Sequence, residues 1–325
     1  MHYEYEDSAS QYRWPPEPDS ARYVFVGQLS GEANFPASTQ NFGSRVLSWL
    51  VGLHSAKREP VVLQRPQNGF TDAQGRIYVT DVSRAAVMVF DQPAGKLLVW
   101  GSAGQGGHFD SPVGIAAGAN DEILVADAAL KKVVRLNQAG EPLGDIGKGV
   151  LMRPVGIARD AARNRIFVSD AQAHDIKIFS DTGELLGHIG EHGEGAGEFN
   201  APTYLTWTGD QLYVTDTLNS RVQIFDAGGV FVREFGRRGL FVGDLPRPKG
   251  IAVDSRGNIY VVESYYDHLL VFNAKGELLL PIGGSGSGIG EFFLPAGVWT
   301  DGHDRIYVAD SFNGRVVIFQ FLGET

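Results

Sequence analysis

The tetrad Tyr-Val-Thr-Asp at 78–81 returns five times along the chain, as Leu-Val-Ala-Asp at 124–127, Phe-Val-Ser-Asp at 167–170, Tyr-Val-Thr-Asp at 213–216, Tyr-Val-Val-Glu at 260–263 and Tyr-Val-Ala-Asp at 307–310. Successive closing acids lie 46, 43, 46, 47 and 47 residues apart. A fixed period of this length marks a repeat architecture in which each unit buries its apolar faces only against its neighbours. Within each period four short β-rich runs are separated by Gly- and Asn-containing turns, the content of one propeller blade. In the fifth period these are Pro248 to Asp254, Ile259 to Glu263, Leu269 to Phe272 and Glu277 to Ile282. The second and third runs of each unit are continuously apolar, as strands covered on both faces must be.

Six third strands are present, but the chain stops at Thr325 before a sixth fourth strand. The run Arg22 to Leu29 has the pattern of the missing one. The expected fold is therefore all-β: a six-bladed propeller of four-stranded antiparallel blades, closed by the N-terminal strand so that no sheet edge stays open. Residues 22–325 form this single domain. Residues 1–21, polar and ending in a Pro-rich stretch, read as a flexible tether. In 41–56, Val46, Trp49, Leu50 and Leu53 recur at helical spacing, which predicts one short inserted helix.

Composition limits the functional classes. There is no cysteine, hence no disulfide framework, zinc-thiolate site or thiol nucleophile. A formal net charge of −10 argues against general nucleic-acid binding, which depends on neutralising phosphates. No run is long and apolar enough for a transmembrane helix, and the first residues lack the features of a signal peptide. The polar N-terminal stretch suits either a cytosolic tail or the remainder of a removed leader.

Pro-x-Gly-Ile-Ala-x-Asp at 248–254, Arg-Ile-Tyr-Val-Ala-Asp at 305–310, and Asn-x-Arg-Val at 219–222 and 313–316 resemble the NHL repeat. The resemblance covers about 64–325 and implies a six-bladed propeller. The Pro-rich lead-in and inserted segment are also similar to those of bacterial NHL proteins of the cell envelope. This implies an extracytoplasmic location and a partner in an envelope electron-transfer or surface assembly. The Asn-x-Arg element is lost in the other four units, whose loops are expected to form individual surfaces.

Each candidate chemistry has a plainer counterpart. The six closing acids suggest a carboxylate ring, but the same position in every unit suits an acid that accepts its own turn amides. Arg221 and Arg315 read as ties within the repeat. Propeller enzymes resembling this fold place ligands where the first strands meet the central channel. Here those positions hold Gln67, Val113, Val155, Thr203, Lys249 and Ala296, a set poor in metal ligands. Asn68 and Tyr204, replacing the glycine of the motif, are the two chemical intrusions. Loop histidines His108, His174, His192 and His268 should share one end of the ring. The Gly-rich stretches near 101–107, 190–197 and 283–290 fail as phosphate loops, because no helix or Gly-Lys-Ser/Thr follows.

The most basic cluster, Arg237, Arg238, Arg247 and Lys249, carries interleaved aromatic residues and is interrupted by Asp244. Such a surface suits an anionic protein partner, or RNA, as in some tripartite-motif NHL proteins; the acidic whole favours the protein. The expected activity is that of a non-catalytic protein-binding scaffold without metal or cofactor. Its partner surface comprises Arg237, Arg238, Phe241, Arg247, Lys249, Tyr265 and Tyr266. The alternative is a metal-dependent hydrolase or lyase at the channel mouth near Asn68, Tyr204 and a loop histidine.

Overall fold

The computed structural model describes residues 1–6, 11–35 and 59–323. Five blades are four-stranded antiparallel sheets spanning 66–100, 112–146, 154–189, 202–235 and 248–283, and we number them 1 to 5 from the N-terminus. Blade 6 combines Val298–Thr300, Arg305–Asp310 and Arg315–Phe321 with Tyr23–Leu29 as its outer strand. That strand runs antiparallel to the last one, from Tyr23 opposite Phe321 to Leu29 opposite Val316. The ring is thus closed as the sequence predicts, and the two chain ends share one sheet.

Closure recruits more of the N-terminus than expected. Arg13–Trp14 pairs with Tyr23 and Val24 as a fifth strand of blade 6, and Glu4 bridges to Gln28. The Trp14 ring meets Phe319 edge-on at 5.3 Å. The parts of 1–21 that the structure describes are therefore docked rather than a free tether. A polar composition hid a strand whose requirement is backbone pairing plus one aromatic anchor. The helix predicted over 41–56 lies outside the described residues.

The cores sit between blades. One cluster joins Tyr260, Val262, Leu269 and Val271 of blade 5 to Ile306, Val308, Val317 and Phe319 of blade 6 and to Tyr23 and Phe25. Comparable clusters fill the other interfaces. Fully buried apolar side chains of this size each contribute about 1.5–3 kcal/mol, so blade stacking supplies the main cohesion.

The closing acids hold each blade's inner edge. Asp81 accepts the amides of Gln64 and Arg65, which lead into its first strand, and those of Ser83 and Arg84 in the turn that follows. Asp127 and Asp170 repeat the pattern, and Glu263 accepts from Arg247, Tyr265 and Tyr266. In blade 4, Asp216 takes the Asn200 amide together with Asn219 and the Arg221 guanidinium. Arg221 also donates to the carbonyls of Gly195 and Glu198, fastening the Gly-rich loop from blade 3. Arg315 does the same in blade 6 with the carbonyls of Ser287, Gly288 and Glu291. These acids are structural clamps.

Asp216→Ala, which takes from Arg221 the buried one of its two carboxylate partners and leaves Glu234 as the other, should lower unfolding free energy by about 3 kcal/mol, measured by denaturant unfolding followed through tryptophan fluorescence. Tyr23 gives a pH test. Burial pushes its phenol up to about 12, against a hydrogen bond with Tyr260. A group whose pKa is raised on folding stabilises fully below its unfolded value and loses that contribution as pH rises through the folded one. Stability should therefore fall between about pH 10 and 12, and Tyr23→Phe should flatten that fall.

Candidate functional site

Strand direction places the ends of the second and fourth strands, and the starts of the first and third, on one face of the ring. All seven partner-surface residues belong to this face. The structure divides them into two groups. The inner one is organised by Glu263, whose carboxylate receives the amides of Arg247, Tyr265 and Tyr266. Burial raises its pKa against the pull of those amides and of His268. The Tyr265 and Tyr266 rings meet edge-on at 4.8 Å. Lys249 lies two residues beyond Arg247, at the channel mouth.

The outer group is the loop between blades 4 and 5. Its base is fixed by Asp244, which accepts the Arg237 guanidinium at 2.8 Å and the Phe241 amide at 2.9 Å. The Leu245 amide donates to the Arg237 carbonyl. Arg237 is thus a neutralised loop strut, and the cluster is less cationic than its sequence suggests. The tip projects Leu240, Phe241 and Val242 at 82%, 77% and 61% exposure, beside the exposed Arg238. Tyr265 is 62% exposed on the same face.

The channel mouth is narrow for a backbone reason. At four of the six positions following the first-strand Pro-x pair there is a glycine, and a Cβ there would strike the neighbouring blade. On Gly114 it would lie 2.1 Å from the Val155 carbonyl oxygen, and on Gly297 2.3 Å from that of Gln67. The exceptions, Asn68 and Tyr204, belong to blades 1 and 4, which face each other across the axis. Tyr204 spans the gap and donates its hydroxyl to the Gln67 carbonyl at 3.3 Å. Burial pushes its phenol pKa far up. Beyond this bar, toward the opposite face, an axial cavity of about 260 Å³ is lined by all six innermost strands. The buried Asn68 Oδ1 makes no hydrogen bond among the described residues.

Of the four loop histidines, two meet: the rings of His174 and His192 lie 4.4 Å apart. His174 Nδ1 accepts the Ala201 amide, a tie from blade 3 to blade 4. Asp267 makes the equivalent tie from blade 5 to blade 6 through the Leu294 amide. His268 flanks Glu263, while His108 pairs with Ser102 in the loop after blade 1. Among the described residues, no three His, Asp or Glu side chains gather at metal-binding spacing.

Sequence reasoning missed Arg65 at the mouth. The recurrence of Arg-Pro at 65–66, 153–154 and 247–248, in alternate blades, was the available signal.

Ring and site together define a six-bladed β-propeller whose axial mouth is barred by a tyrosine and whose loop face is individually shaped. A family described as a 6-bladed beta-propeller matches over residues 248–324. Human NHL-repeat-containing protein 4 is 32% identical over 94 residues, which are 29% of this chain and 72% of that protein. The chain belongs to the NHL-repeat family.

Protein brain tumor of Drosophila melanogaster is 31% identical over 121 residues, 36% of this chain but 11% of that much longer protein. Among solved structures, an auxiliary nutrient binding protein from Bacteroides ovatus superposes with a TM-score of 0.61 at 14% identity, over 79% of this chain and 69% of that one. An inactive virginiamycin B lyase from Staphylococcus aureus, with quinupristin, gives 0.58 at 12% identity, over 79% and 95%. At such identities the likeness is one of fold alone. No helix among the described residues is long and apolar enough to cross a membrane.

The Tyr204 bar should contribute through its hydrogen bond and its bulk separately. Tyr204→Phe is expected to cost about 0.5–1.5 kcal/mol and Tyr204→Ala about 3–5 kcal/mol, compared by denaturant unfolding of the two variants.

Proposed function

We propose that this chain is a non-catalytic scaffold that binds another protein through its loop face, in a bacterial envelope or surface assembly. The carrying observation is the tip at Leu240, Phe241 and Val242, three consecutive large apolar side chains more than 60% exposed. Consecutive apolar side chains held in water on an ordered loop mark an interaction surface. Asp244 supports that reading, because it spends a buried carboxylate on fixing the loop that presents them. Arg238 and Tyr265 flank the tip, and aromatic and arginine residues are the usual interface anchors.

The inner residues Arg247, Lys249 and Tyr266 extend the surface toward the axis, and Arg237 acts on it as a loop strut. The clamped ring favours rigid presentation, so binding should change its backbone little. An acidic patch on the partner would complement Arg238, Arg247 and Lys249. The envelope placement rests on the likeness of the Pro-rich lead-in to those of envelope NHL proteins.

The test is capture of partners by the tagged protein from its own cells, with mass spectrometry, beside Phe241→Ala and Arg238→Glu variants of unchanged thermal stability. One defined protein, weakened at least tenfold by Phe241→Ala and also by Arg238→Glu, is the expected result. Retention of that partner by both variants would reject this surface.

A further inference from the structure

Lys249 stands at the channel mouth in an unusual electrostatic position. It is half-buried, and its ammonium makes no hydrogen bond or ion pair among the described residues. The charges acting on it are both cations, the guanidinium groups of Arg247 and Arg65, and no carboxylate is among them. Burial first, then these two neighbours, hold its pKa below the ordinary lysine range.

The backbone fixes this grouping in place. The Arg65 amide is clamped by Asp81 and the Arg247 amide by Glu263, one residue before the proline that starts each inner strand. Both carboxylates are consumed by backbone amides. The Arg65 guanidinium lies 4.8 Å above the Phe312 ring, so its position is set by a face that leaves its N–H edge unpaired. Arg153 holds the same register in blade 3, its amide clamped by Asp170 and its exposed side chain without a partner among the described residues. Beneath them, Tyr204 packs with Val155 and Val113 as an apolar floor.

Lys249, Arg247 and Arg65 thus stand at the inner ends of blades 5 and 1 above that floor, within electrostatic reach of one another and without a counter-charge among the described residues, an arrangement that favours a bound anion. Guanidinium forks match planar or tetrahedral oxyanions in two-point contacts, and a lysine adds a point charge. We propose that the channel mouth is a binding site for a small oxyanion carrying two or more charges, a polycarboxylate or a phosphate, seated on Lys249 between Arg247 and Arg65 above the Tyr204 bar. The site is independent of the loop tip at Phe241.

The test uses the whole chain with citrate and, separately, inorganic phosphate, titrated by calorimetry at constant ionic strength set with sodium chloride. One site per chain is expected for at least one of the two. Lys249→Met and Arg65→Gln should each weaken it tenfold or more, while Phe241→Ala leaves it unchanged. Thermal unfolding gives a second readout. Without the anion, Lys249→Met should melt higher than the native protein, because it removes an uncompensated charge. The anion should raise the melting temperature of the native protein and leave that of the variant unmoved. Absence of binding by both probes overturns the proposal. So does equal stabilisation of native protein and Lys249→Met.

Discussion

Everything in this ring depends on a carboxylate meeting backbone N–H groups. At the end of each second strand an acid collects amides from the segment entering its own blade, joined by amides of the following turn in blades 1, 2, 3 and 5 and by Asn and Arg side chains of that turn in blades 4 and 6. Innermost strands have no ladder partner on the channel side, and each of the six runs leading into them carries a proline, which removes a donor from that exposed edge. The amides that remain would be orphaned near the axis, where unsatisfied polar groups are costly. The acid supplies the missing acceptors and sets the height at which each blade meets the channel. The residues beside the prolines, among them Arg65, Arg247 and Lys249, are positioned by that same contact.

Departures from the repeat mark where the molecule acquires individuality. Blades 4 and 6 keep the Asn-x-Arg element, and there an arginine buttons down the preceding Gly-rich loop through several carbonyls. The loop entering blade 5 leads into a blade without that element. It is held instead by its own Asp244 and rises into solvent with an apolar tip. In the ring's interior, tight glycine packing yields at Asn68 and Tyr204. Because these occupy facing blades, one side chain suffices to bar the axis.

The fold was legible because its signals are periodic: the closing acids, the doubly apolar strands and the displaced first strand each recur or fill a counted vacancy. The strand limits predicted in the fifth period match within a residue, the strands being Pro248–Val253, Ile259–Glu263, His268–Phe272 and Leu278–Gly283. The structural role of the acids was legible for the same reason. What the sequence concealed depends on distance through space. The Tyr204 contact with Gln67 joins residues 137 apart, and the neutralisation of Arg237 requires the loop to fold back by seven. The docking of Trp14 escaped notice because one aromatic side chain in a polar, proline-rich stretch has no periodic signature.

Closure by the N-terminal strand has a consequence for the order in which the molecule is made. Tyr23–Leu29 leaves the ribosome ahead of blades 1 to 5, yet its partner, Arg315–Phe321, follows all of them. The pairing spans nearly the whole chain and carries the largest loop-closure entropy in the protein. Each of blades 1 to 5 is contiguous in sequence and can assemble as it emerges. Blade 6 cannot, so throughout synthesis the growing stack presents an unfinished interface at each end. The ring becomes a single cooperative body only when its oldest and newest segments meet.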